Sequence, residues 1–260
     1  MKKFLNIKIL LIIQTIIICA LIIVLCVMAT KKTRIIETKV VTSIPIFEET
    51  INCQNKLAPT KKILFIGNSI TWHDKCDAWW GQWGMAASKK ENDYVHQTTK
   101  MLSKKYNVNF KIALFYYWEA MSHDRAEALQ LLNPILDKPY DAIVIQLGEN
   151  ILDYSSLTTD FDELVKFLKK HSPEAQIIIV GQYWENKEIE KIKKEICNKN
   201  NLSFIDLVEL QKETGNAGLG TIVFGDDGKE HVIDSKGVGR HPGDIAMKDI
   251  ANKICNVLWK

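Results

Sequence analysis

The chain has 260 residues, is 47% hydrophobic and carries a formal net charge of +3 at neutral pH. Part of that small charge sits in lysines flanking one apolar run. No basic stripe with interleaved aromatics is present, so nothing points to nucleic acid as a partner. Roughly 200 residues follow residue 60, enough for one domain with a substantial core.

Residues 9–30 form an uncharged apolar run long enough to cross a bilayer. Lys2, Lys3 and Lys8 precede it and Lys31, Lys32 and Arg34 follow it, so positive charge alone leaves the orientation open. A cleaved signal peptide is the competing reading, with Val27-Met28-Ala29 as its cleavage-like spacing. The expected organisation is a short cytoplasmic tail over residues 1–8, a single-pass anchor over 9–30, a polar stalk over 31–60 and a folded domain over 61–260. The stalk holds Pro45 and Pro59 and shows no clear period. Cys19 and Cys26 lie in the apolar run. Cys53, Cys76, Cys197 and Cys255 are widely spaced without a CxxC pair, so they form no zinc pattern, although an exported domain could oxidise two of them.

Lys62 to Gly67 reads as a short buried strand, an apolar run opened by lysines and closed by glycine. A tryptophan-rich insertion over 72–91 follows. Asn92-Asp93 suit the cap of a helix running to about Lys105, with Tyr94, Val95, Met101 and Leu102 inward. Val108 to Tyr116 is the second strand, and a helix near 123–132 is expected to end at Asn133-Pro134. Asp141 to Leu147 is the third strand. Thr159 with Asp162 resembles a capping box, and Phe161, Leu164, Val165 and Leu168 share one helical face. Gln176–Gly181 and Leu202–Leu207 are strands four and five around a charged amphipathic helix at Lys187–Lys199. The glycine-rich stretch 215–240 has room for a hairpin, and Asp244–Leu258 closes the chain as a helix. This alternation predicts an α/β domain: three layers, α/β/α, with a mainly parallel five-stranded sheet.

Three signals fall at boundaries that such a sheet brings together. Ser69 follows strand one, Gly148-Glu149-Asn150 follows strand three, and His241-Pro242 precedes the last helix. A serine needs a base to become a useful nucleophile, and histidine serves near neutral pH. An asparagine amide and a backbone N–H can face a developing oxyanion. An alternative is an anion-cradling turn at Gly67-Asn68-Ser69-Ile70-Thr71, which lacks the lysine of a P-loop.

Gly67-Asn68-Ser69-Ile70-Thr71, Gly148-Glu149-Asn150 and His241-Pro242 together resemble three of the sequence blocks of the SGNH (GDSL-type) hydrolases, in order and spacing over residues 62–258. The resemblance implies an esterase or acyl-transfer activity without metal or other cofactor. It makes Ser69 the nucleophile, His241 the base, and the Ser69 N–H with the Asn150 side chain the oxyanion donors. Asn68, Gly148, Glu149 and Glu119 become possible supports. Two departures stand out. Val238 occupies the position of the acid usually found three residues before the histidine, so the base must be oriented by a backbone carbonyl or by another carboxylate, Asp234 being the candidate. The glycine expected after strand two is replaced by Tyr117-Trp118-Glu119-Ala120, so Gly84 is a candidate substitute donor.

Of seven tryptophans, Trp72, Trp79, Trp80 and Trp83 sit in the insertion, and Trp118 and Trp184 follow strands two and four. Trp72, Trp83 and Trp118 are therefore candidate pocket residues, and at least one of Trp72, Trp79, Trp80, Trp83 and Trp118 is expected to line the pocket with an exposed ring face; the alternative is a hydrophobic cluster that folds the insertion down. With the anchor, these rings suggest an outward-facing enzyme of the cell membrane that removes a small acyl group, such as acetyl, from a cell-surface glycan. An acyltransferase using the same serine and a non-catalytic glycan-binding module are the rivals.

Overall fold

The computed structural model describes residues 41–212 and 215–259. The expected tail, the anchor over residues 9–30 and the first part of the stalk lie outside the described residues, and among those described no helix is long and apolar enough to cross a membrane.

The centre of the domain is a six-stranded sheet in the order β1-β3-β2-β4-β5-β6. Its strands are β1 (Ile46–Ile51), β2 (Thr60–Gly67), β3 (Asn107–Leu114), β4 (Ala142–Gln146), β5 (Gln176–Val180) and β6 (Ser203–Ile205). The last five run parallel. β1 is antiparallel to β3, with Ile46 opposite Ala113 and Ile51 opposite Val108. The expected sheet of five strands thus gains an edge strand from the segment expected as stalk. Edge strands tolerate charge because one side meets water. Here Glu48 pairs with Lys111 at 3.5 Å, and this charge dilutes the apolar alternation of the segment.

The helices are α1 (Tyr94–Leu102), α2 (Tyr116–Ala120), α3 (Arg125–Ala128), α4 (Leu157–His171), α5 (Lys187–Asn200), α6 (Val208–Lys212), α7 (Lys236–Gly239) and α8 (Asp244–Cys255). Successive strand residues face opposite sides of a sheet. Ile63 and Phe65 of β2 accordingly pack with α1, α8 and the tryptophan-rich insertion. Leu64 and Ile66 pack with α4 and α5. Burial on both faces is what makes such a strand a continuous apolar run. A short hairpin, β7 (Ile222–Phe224) with β8 (Glu230–Val232), occupies the glycine-rich stretch.

Local signals are met unevenly. Asp93 caps α1 as expected, accepting the His96 N–H at 2.8 Å. The capping box at Thr159 does not form, because α4 begins earlier, at Leu157. Asp162 instead accepts from Lys166, Lys199 and Asn200 at 2.7, 2.9 and 3.0 Å. The helix expected to stop at Asn133-Pro134 is the four-residue α3 followed by a tight 3-10 segment, Leu129–Ile135, that contains Pro134. Cys53, Cys76, Cys197 and Cys255 are all free thiols.

Candidate active site

The carboxyl ends of the parallel strands point to one edge of the sheet, where open α/β folds form crevices. β2 delivers Ser69 there through a tight turn. The Asn68 carbonyl accepts the Thr71 and Trp72 N–H groups at 2.9 and 3.0 Å. The Asn68 side-chain oxygen accepts the Ile70 N–H at 3.1 Å. Gly67 is required at the strand exit, since any Cβ there would collide with the Thr71 side chain. Among the described residues, nothing accepts the Ser69 N–H.

His241 arrives from the opposite end of the sequence, just after α7. Its Nε2 lies 2.8 Å from the Ser69 Oγ. Its Nδ1 lies 3.0 Å from the carbonyl oxygens of both Gly237 and Val238. Both are acceptors only, so Nδ1 carries the ring hydrogen and the Nε2 lone pair faces the serine hydroxyl. The orienting group is therefore backbone, the first of the two options left by Val238. Asp234 is exposed and does not contact the ring; α7 intervenes and brings its own carbonyls to Nδ1.

His241 is 7% exposed. Burial pushes its pKa down to about 4, against the two carbonyls that favour the imidazolium. An imidazole must be neutral to accept a proton, so a lowered pKa keeps the ring a proton acceptor into acid. The acid limb of kcat/KM for a neutral ester is expected near pH 4, with unit slope, in a titration from pH 8 downwards. A limb near the ordinary histidine value of 6.5 would mean that burial does not depress His241 as the geometry implies.

Asn150 borders the same cleft, and its Nδ2 donates to Glu119 Oε2 at 2.6 Å. The Glu119 carboxylate, 1% exposed, also accepts from the Asn68 Nδ2 at 3.1 Å and, over a short hydrogen bond, from the Gly148 N–H. Burial raises its pKa, and the surrounding N–H donors oppose that shift. Gly84 is not a spare oxyanion donor. Its N–H is held by the buried Asp93 carboxylate at 3.1 Å, and a Cβ at this position would stand 2.6 Å from the Ile70 carbonyl oxygen. The glycine serves close backbone packing. Glu149 accepts the Tyr183 and Trp184 N–H groups at 2.6 and 3.3 Å, fixing the loop after β5.

The cleft holds about 380 Å³ and is bordered by Ser69, Asn150 and His241, with Met85, Trp184 and Arg240 around them. Trp184 meets the His241 ring edge-on at 5.0 Å and carries the Arg240 guanidinium at 4.1 Å from its ring centre. The three tryptophans expected in the pocket are core residues instead. Trp72 is stacked on Phe47 of β1 at 4.1 Å. Trp83 donates its Nε1 to the Ala87 carbonyl at 3.0 Å and packs edge-on against Trp79. Trp118 is enclosed by Phe115, Phe161 and Arg125. Trp80 lies flat on His231 of the hairpin at 4.3 Å. The insertion thus folds down on its own aromatic cluster. Trp184, seen in the sequence only as a tryptophan after strand four, supplies the cleft's aromatic wall, and Arg240 carried no sequence signal beyond its place beside His241.

No protein-family model and no curated protein matches the chain. Among solved structures, it is similar to a family two carbohydrate esterase from Clostridium thermocellum in complex with cellohexaose, at 15% identity and a TM-score of 0.47, over 75% of this chain and 62% of that one. A family 3 carbohydrate esterase from the same organism matches at 14% identity and a TM-score of 0.47, over 76% of this chain and 94% of that one. A GDSL-like lipase from Parabacteroides merdae matches at 15% identity and a TM-score of 0.43, with the same two coverages. Likeness at this level bears on neither substrate nor residue roles.

Proposed function

We propose that the chain is a serine esterase of SGNH type, and that Ser69 and His241 are its nucleophile and base. The observation that carries this reading is the 2.8 Å contact between Ser69 Oγ and His241 Nε2, with Nδ1 locked by two carbonyls. The Ser69 hydroxyl attacks the ester carbonyl carbon as Nε2 takes its proton. The carbonyl oxygen becomes an oxyanion facing the Ser69 N–H and the free N–H of the Asn150 amide. His241 then returns the proton to the leaving alcohol, leaving an acyl-Ser69. Water, deprotonated by the same Nε2, releases the acid and restores the serine.

The small acyl group, such as acetyl, belongs to this proposal on the strength of the sequence; Met85 and Val238 border the cleft together with Ser69. A glycan remains the proposed alcohol partner, now on the strength of the Trp184 ring in place of the insertion tryptophans. Anchorage through residues 9–30 with the domain outside belongs to the same proposal and rests on the sequence.

A fluorophosphonate reagent tests the chemistry without knowledge of the substrate. It is expected to label the full-length protein in detergent at a single serine, with the label mapping to Ser69 by peptide mass analysis and vanishing in Ser69→Ala. A folded wild-type protein that takes up no label would remove the esterase reading.

A further inference from the structure

The missing glycine after the second strand leaves the cleft with two oxyanion donors, the Ser69 N–H and the Asn150 amide. Two donors act well only if their alignment is fixed in advance, because fixed dipoles avoid reorganisation during the reaction. Ser69 and Asn150 sit on different loops, after β2 and after β4 respectively.

One buried group spans both loops. α2 carries Glu119 buried, within the stretch Tyr117-Trp118-Glu119-Ala120, and among the described residues its carboxylate receives N–H groups only. On the nucleophile side the donor is the Asn68 Nδ2, 3.1 Å from Oε1. The Asn68 amide cannot be turned around, because its oxygen is engaged with the Ile70 N–H at 3.1 Å. On the other loop the donors are the Gly148 N–H, the Asn150 N–H at 3.5 Å and the Asn150 Nδ2 at 2.6 Å. Gly148 holds a φ of +130°, which only glycine adopts without strain, so this loop keeps its shape through such contacts. Arg125 closes the far side of α2 by donating to the Glu119 and Trp118 carbonyls at 3.4 and 3.2 Å and to Asp160 at 2.7 Å. The donors around the carboxylate favour its ionised form, against the burial that raises its pKa.

We infer that Glu119 is the positioning residue of the oxyanion site, bracing the Asn68–Ser69 turn and the Gly148–Asn150 loop against one carboxylate so that the Ser69 N–H and the Asn150 amide converge. Nothing in this role touches the substrate. It rests on the esterase reading and adds a buried carboxylate that sets the alignment of the two donors.

The test is Glu119→Gln in the full-length protein with p-nitrophenyl acetate. Glutamine keeps the shape but turns an NH2 toward at least one of the N–H donors. Because the donors matter to the transition state more than to the bound ester, kcat is expected to fall about 100-fold while KM changes by less than about threefold. In an Asn150→Ala background the same change should cost less than about fivefold, since the brace then has little left to align. Thermal melts of each variant separate this from unfolding. If Glu119→Gln does not fold, Asn68→Ala, which deletes one of the braces, is expected to lower kcat about tenfold with unchanged KM. Full kcat in the folded variant, or losses that simply multiply with Asn150→Ala, overturns the inference and leaves the esterase reading intact. A wild type that neither hydrolyses the ester nor takes the fluorophosphonate overturns both.

Discussion

His241→Ala is expected to lower kcat for an activated ester by about 10⁴- to 10⁶-fold, and adding Ser69→Ala should make it hardly worse. Serine and base act as a unit: without Nε2 as proton acceptor the hydroxyl is a poor nucleophile, and without the hydroxyl the base has nothing to activate. The lower half of the range is the better expectation here. Two neutral carbonyls, not a carboxylate, stabilise the imidazolium that forms in the transition state, so there is less catalysis to lose. Burial also disfavours that cation, as the lowered pKa of the ring records. The measurement is kcat for the two single variants and the double. Losses that multiply would mean that the 2.8 Å contact has no catalytic consequence.

What the sequence made legible was the set of boundaries. β2 and β4 are buried on both faces and so are continuous apolar runs, and the residues that end them stand at the edge of the sheet whatever the rest of the chain does. Ser69, Asn150 and His241 could be gathered for that reason. The direction a side chain takes was far less visible. The first tryptophan of the insertion follows Ser69 within a few residues, yet proximity in sequence did not make these rings pocket walls. A large ring near a strand end gains more by burial against other rings than by facing water. β1 was hidden because an edge strand shows a half-buried, charge-broken pattern that resembles a linker. Glu119 was visible only as a possible support within Tyr117-Trp118-Glu119-Ala120, and its four donors come from loops that only the folded sheet brings together.

Trp118→Ala carries the largest expected effect on stability, about 3–5 kcal/mol by chemical denaturation, a large share of what a domain of this size usually has. Trp118 is fully buried and bears on Phe115 and Phe161, with ring centres 6.4 and 5.0 Å away. The buried Arg125 guanidinium lies 5.5 Å from its centre, so truncation leaves that cation facing a void as well. Its Nε1 has no hydrogen-bond partner among the described residues. Trp118→Phe should therefore cost much less than the alanine change, since it keeps most of the ring and removes an unsatisfied donor. Trp184→Ala is the contrasting case: a half-buried ring on the cleft rim, expected to leave the denaturation midpoint nearly unchanged and to raise KM for a sugar ester more than for a minimal aryl acetate. If Trp118→Ala raised KM for the sugar ester at an unaltered midpoint, its ring would border the substrate after all. If Trp184→Ala affected both esters equally, the proposed glycan would lose the one tryptophan that borders the cleft among the described residues, and a small ester would replace it as the proposed substrate.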